Sequence, residues 1–181
     1  MDPDRGPDAA ARELLTDAFG RIHQLVGRVT EGADRSVLCF RADADANTVA
    51  WLIWHLTRVQ DTHVAELAHE PAVWEAGGWV EQFDLALGPD DTGYGASSEE
   101  VGALDGVDAL LLRGYHEAVH DLTSAYLASV DHDELSRVVD ASWDPPVTAS
   151  ARLVSVTSDC LQHLGQASYV RGLAERAHRP R

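Results

Sequence analysis

Lysine is absent from this chain. All 14 basic residues are arginine, set against 30 Asp and Glu, and the formal net charge is −16. A surface so poor in positive charge repels phosphate backbones and anionic lipid headgroups, which argues against nucleic acid and membranes as partners. The missing lysine itself reads as high-GC coding bias and carries no physical consequence. Cysteine is nearly absent too. Cys39 and Cys160 cannot build a disulfide framework, and both read as small buried hydrophobes. Cys160 directly follows Asp159, so on a helix it points about 100° away from it. No apolar run is long enough to span a bilayer, and no charged, then apolar, then small-residue leader opens the sequence, so a cytoplasmic location is expected. What remains is 45% hydrophobic and 24% charged residues over 181 positions. That suits one globular domain over 1–181, with 1–7 and 179–181 expected to be frayed.

The apolar residues recur with helical spacing in four long stretches. The first runs from Asp8, a candidate N-cap, through Leu14, Phe19, Ile22 and Val26 to about Glu31-Gly32. Ser36 to Phe40 is too short for a helix of its own and is expected to be extended. The second helix is capped by Asn47 and lasts about 20 residues, or about 30 Å. Leu52, His55, Leu56, Val59 and Thr62 share one of its faces, with Arg58, Asp61 and Glu66 toward the edges or away. Residues 68–97 give the weakest pattern, with a short helix broken at Gly77-Gly78 and then a turn-rich loop over 88–95. Ser97 and Glu100 form a capping box opening the third helix, which continues to about Val130. A connection over 132–147 ends at Pro145-Pro146, and the fourth helix starts at Thr148 or Ser150 and runs to about His178. The fold expected is all-α, a four-helix bundle whose long second connection allows a crossover.

Two of these helices carry polar residues on apolar faces. Asp159, His163, Gln166 and Val170 follow i, i+4, i+7, i+11 spacing on the fourth helix, beside Leu153 and Val156. Spacing alone also fits a surface i,i+4 pair. The apolar neighbours favour an inward stripe, where a carboxylate and an imidazole need partners. His55, in Trp51-Leu-Ile-Trp-His55-Leu, poses the same problem on the second helix, although a lone histidine on an apolar face is usually a satisfied core residue. The two helices explain one another if these groups meet at a cation. A competing motif is His116-Glu117-Ala118-Val119-His120, which matches the zinc-protease pattern His-Glu-x-x-His. Beside Arg113 and Asp121, and without a strand-rich half to hold a substrate, it reads as a solvated helix face.

Taken together, Trp51-Leu-Ile-Trp-His55-Leu-Thr-Arg58, Asp144-Pro-Pro-Val-Thr148, Arg152-Leu-Val-Ser-Val156 and Asp159-x-x-x-His163-x-Gly165-Gln166 resemble the DinB-like metalloprotein family. Within it they are most similar to the mycothiol S-transferases and to the metal-binding domain of mycothiol-dependent maleylpyruvate isomerase. The resemblance extends from the first helix to Gly172. It implies a four-helix bundle, often a homodimer, with one divalent metal held by His55, Asp159 and His163. Many relatives carry His at the position of Asp159 and the isomerase carries Glu, so Asp is a shorter variant that could reach the ion directly or through a water.

Three protein ligands leave a tetrahedral ion one open position, as in catalytic rather than structural sites. A thiol placed there loses its proton, so no catalytic cysteine is needed. The resulting expectation is metal-dependent transfer of a small thiol, mycothiol by resemblance, to an electrophilic small molecule. Zinc is the expected metal, with nickel or iron as alternatives. Gln166 is a candidate for orienting a ligand, and Arg58 and Arg171 are candidates for contacting the thiol. Two other readings stand beside this one. One is a different small-molecule metalloenzyme of hydrolase, isomerase or non-haem iron type. The other is a non-catalytic metal-binding dimeric module. The five tryptophans read as core and bundle-end packing.

Overall fold

The computed structural model of the protein describes residues 7–178; the segments 1–6 and 179–181, expected to be frayed, lie outside the described residues. Four long helices carry the architecture: α1 (Pro7–Thr30), α3 (Val49–Ala68), α7 (Ala109–Ser129) and α9 (Ala149–Ala177). Short helical turns α2 (Arg35–Leu38), α4 (Val73–Ala76), α5 (Trp79–Phe83), α6 (Ser98–Gly102) and α8 (His132–Ser136) fill the connections. Strands β1 (Val138–Asp140) and β2 (Val147–Thr148) pair antiparallel as a small hairpin ahead of α9.

Each of α3 and α1 packs against both α7 and α9. Thr57 meets His116 and Gln60 meets Thr123, so α3 and α7 run in the same direction. Their connection, residues 69–108, must therefore return along the bundle, which is the expected long crossover. Leu56 lies against Cys160, while His63 lines the same cavity as Ser155, so α3 and α9 are antiparallel.

The crossover buries α3 almost completely: Val49 to Arg58 are all buried, and so are Gln60 and Asp61. Arg58 and Asp61 were expected at the edges of this helix or facing away. Instead, Arg58 is 3% exposed and Asp61 0%, because α4 packs over Asp61, and Trp74 and residues 89–91 lie against Arg58. The Asp61 carboxylate accepts from Val73 N and Trp74 N, both at 2.8 Å, and from the Tyr115 hydroxyl at 2.8 Å. A buried carboxylate thus supplies the cap that α4 lacks at Ala72.

Several boundaries differ from expectation for local reasons. α1 begins at Pro7, and Asp8 sits in its first turn, where a carboxylate suits the helix dipole, rather than at the N-cap. Of the Ser36–Phe40 segment, Ser36 to Leu38 belong to the helical turn α2 rather than to an extended stretch, with Asp34 as its cap accepting from Val37 N at 3.1 Å. Thr48, not Asn47, caps α3, with its hydroxyl accepting from Trp51 N at 3.1 Å. The Ser97–Glu100 capping box is present, but the helix it opens stops at Gly102; Asp108 then caps α7 separately, accepting from Leu111 N at 2.8 Å. Thr148 caps α9.

Candidate metal centre

Antiparallel packing of α3 on α9 brings His55 opposite Asp159 and His163. One ligand atom from each of the three lies within 4.8 Å of the other two, and this is the only such grouping of three or more His, Cys, Asp or Glu among the described residues. The two imidazoles meet edge to face, with centroids 4.7 Å apart.

Their hydrogen bonds decide which nitrogens are free. His55 Nδ1 contacts the carbonyl oxygen of Thr92 at 2.5 Å. A carbonyl can only accept, so Nδ1 carries the proton and Nε2 keeps its lone pair. His163 Nδ1 lies 2.9 Å from Gln166 Oε1, again an acceptor, and His163 Nε2 faces Asp159 Oδ1 at 3.6 Å. Asp159 Oδ2 is shielded from water and has no hydrogen-bond partner. Two imidazoles and a carboxylate, each offering a ligand atom within 4.8 Å of the other two, are a donor set that suits a divalent cation, with each imidazole in contact through its Nδ1 with an acceptor. The residues present therefore fit the metal that the sequence implied.

The electrostatics match this arrangement. Burial pushes the His55 pKa below its ordinary value, and the nearby His163 adds to that, while the Thr92 carbonyl acts the other way. The Asp159 carboxylate raises His163, and His163 in turn lowers Asp159. The centre sits at the edge of the bundle: His55 is buried, Asp159 and His163 are half-buried, and His55 and Asp159 line a cavity of about 300 Å³. His63, Thr92, Tyr94 and Ser155 help to line it. A larger cavity of about 700 Å³ lies near Leu67, where Tyr126 and Arg137 both donate to Glu134.

Gln166 stands where an orienting residue is needed, although it is itself exposed. The two arginines do not join the cavity. Arg58 is buried and donates to Pro89 O and Asp91 O, and Arg171 donates to Arg28 O and Val29 O at the end of α1. Cys160 is fully buried with its thiol pKa pushed up by desolvation, in line with an inert core residue.

The His116–His120 motif corrects the expectation of a solvated face, because His116 is buried between α7, α3 and α1. The His23 ring stacks on His120 at 4.4 Å and lies 5.7 Å from His116, with interplanar angles of 11°. Among the described residues, no grouping of three metal-ligating side chains includes His116 or His120, so the protease pattern builds no metal site there. Sequence reasoning missed Trp51, whose indole stacks on the His55 ring at 4.6 Å, and the Thr92–Gly93 segment behind it. The i,i+4 spacing of Trp51 and His55 was a usable signal for the first; nothing local marks the second beyond a turn-rich loop.

A four-helix crossover bundle with a two-histidine, one-carboxylate cluster between its second and fourth long helices is a DinB-like protein. A crystal structure described as that of the conserved protein of locus from Enterococcus faecalis superposes with a TM-score of 0.84 at 30% identity, over 91% of this chain and 96% of that one. No curated protein gives a significant match. The mycothiol-S-transferase family model matches residues 13–175, and the chain belongs to that family.

Proposed function

We propose that the protein transfers a low-molecular-weight thiol of mycothiol type to an electrophilic small molecule, using a divalent metal held by His55, Asp159 and His163. The observation that supports this most directly is the gathering of two imidazoles and a carboxylate, one ligand atom of each within 4.8 Å of the others, beside an open cavity. A divalent ion bound there supplies the positive charge that lets a thiol lose its proton near neutral pH. The chain's own contribution is positional. Thr92 and Gln166 hold the two rings in the ligating tautomer, and the Trp51 face fixes the plane of His55. His63, kept neutral at pH 7 by burial, lines the cavity in which thiol and electrophile would meet. In the reaction the thiol S–H gives up its proton to solvent water, the sulfur forms the bond to the electrophilic carbon, and the bond to the leaving group breaks, the leaving group departing with its electron pair.

The test compares metal-stripped and zinc-reconstituted protein in conjugating mycothiol to a bimane electrophile. Conjugation above the uncatalysed rate should require both metal and thiol. Equal rates with stripped protein would remove the metal from the reaction, and turnover of substrates without thiol would favour the hydrolase or oxygenase reading that the same ligand set permits.

A further inference from the structure

We propose that Arg58 is a positioning residue for this centre: it clamps residues 89–92 against α3 and thereby holds the Thr92 carbonyl that fixes the tautomer of His55. The inference rests on the reading of His55 as a ligand. Thr92 lies in a segment without regular secondary structure. A carbonyl on such a segment keeps a hydrogen-bond position only if the segment is anchored on both sides of it.

Arg58 provides the first anchor. Its Nε donates to Asp91 O at 3.1 Å and its Nη2 to Pro89 O at 3.0 Å, a planar fork spanning two carbonyls that a lysine ammonium cannot reproduce. The guanidinium lies 4.9 Å above the Trp74 ring and is almost fully buried, so the fork has little freedom of its own. Neutralising Asp61 is not an adequate account of this residue. Nη1 approaches Asp61 Oδ2 only to 3.8 Å and has no hydrogen-bond partner, whereas both of the hydrogen bonds Arg58 makes go to the strap.

Gly93 provides the second anchor. Its φ of +84° is in the region that favours glycine, and a Cβ there would stand 2.9 Å from the Trp54 ring and 3.2 Å from His55 Nδ1. The strap therefore rests in contact with the α3 aromatics on one side of Thr92 and is held by Arg58 on the other. Through Thr92 it also forms part of the wall of the reaction cavity.

Long-range proton–nitrogen NMR of the histidine rings in metal-free protein tests the proposal. The wild-type His55 ring should show a single tautomer with the proton on Nδ1. Arg58→Gln should convert this to a mixture of tautomers and weaken zinc binding, measured by chelator competition, ten- to a hundredfold. The His163 signals, held by Gln166 on another helix, should not change. Removing Arg58 also takes away the positive charge 3.8 Å from Asp61, so Gly93→Ala serves as a second variant that leaves both charges in place and should produce the same shift. The proposal is overturned if wild-type His55 carries its proton on Nε2 or exchanges freely between tautomers. It is also overturned if either folded variant keeps the wild-type spectrum and affinity. Should wild-type protein bind no zinc yet show the single tautomer, the metal reading fails while the clamp stands.

Discussion

His55 and His116 are both buried imidazoles on long helices, and what separates them is where their second nitrogen points. Thr92 occupies one nitrogen of His55 and leaves the other facing Asp159 and His163. His116 has Thr57 on Nδ1, and its Nε2 finds no partner beneath the stacked ring of His23. The same residue type thus yields a candidate ligand in one place and a packed core group in the other. The difference was partly legible in the sequence. Asp159 and His163 were placed inward by Leu153 and Val156, and His55 by its own apolar run. Arg58 was not legible, because its burial is created by chain that returns over α3 from residues 69–108, whose pattern is weak. Asp61 shares that origin, and its three hydrogen bonds make a prediction at this scale. Asp61→Ala leaves two backbone N–H groups, the Tyr115 hydroxyl and the Arg58 charge without their partner, and should cost about 3–5 kcal/mol in urea unfolding. A loss under 1 kcal/mol would mean that water replaces the carboxylate.

The long helices owe their starts to single side chains. Thr48 is fully buried and caps α3 at 3.1 Å, while Thr148, half-buried, caps α9 at 3.3 Å. Thr48→Ala should therefore destabilise by about 1–2 kcal/mol, and Thr148→Ala by less, in the same denaturant series. Equal losses would show that burial of the cap does not matter here. Periodicity located all four long helices, because an amphipathic stripe is a local property. It failed where a cap competes with it. Apolar residues continue in helical spacing across Gly102 to Asp108, yet Asp108 offers a new N-terminus and the chain breaks there. The hairpin of β1 and β2 was invisible because two or three residues of strand carry no periodic signal.

At the scale of the whole molecule, no helix of the described residues is long and apolar enough to cross a membrane, and the acidic chain folds around several uncharged histidines. His116 is the extreme case, its pKa pushed by burial down to about 3, and His55, His63 and His120 are lowered in the same direction. A histidine that resists protonation when folded favours the unfolded chain once pH falls below its ordinary value of 6.5. The stability this group contributes is present above that pH and drains away between about 6.5 and 3, reaching about 3 kcal/mol by pH 4. His116→Gln should therefore lose less stability than wild type between pH 7 and pH 4 in parallel urea titrations, and identical losses would locate the acid sensitivity elsewhere. The central claim is tested more directly by metal content. Elemental analysis of purified wild-type protein, His55→Ala and His163→Ala should find close to one divalent ion per chain in the first and little in the two variants. Full stoichiometry in both variants would contradict the shared site.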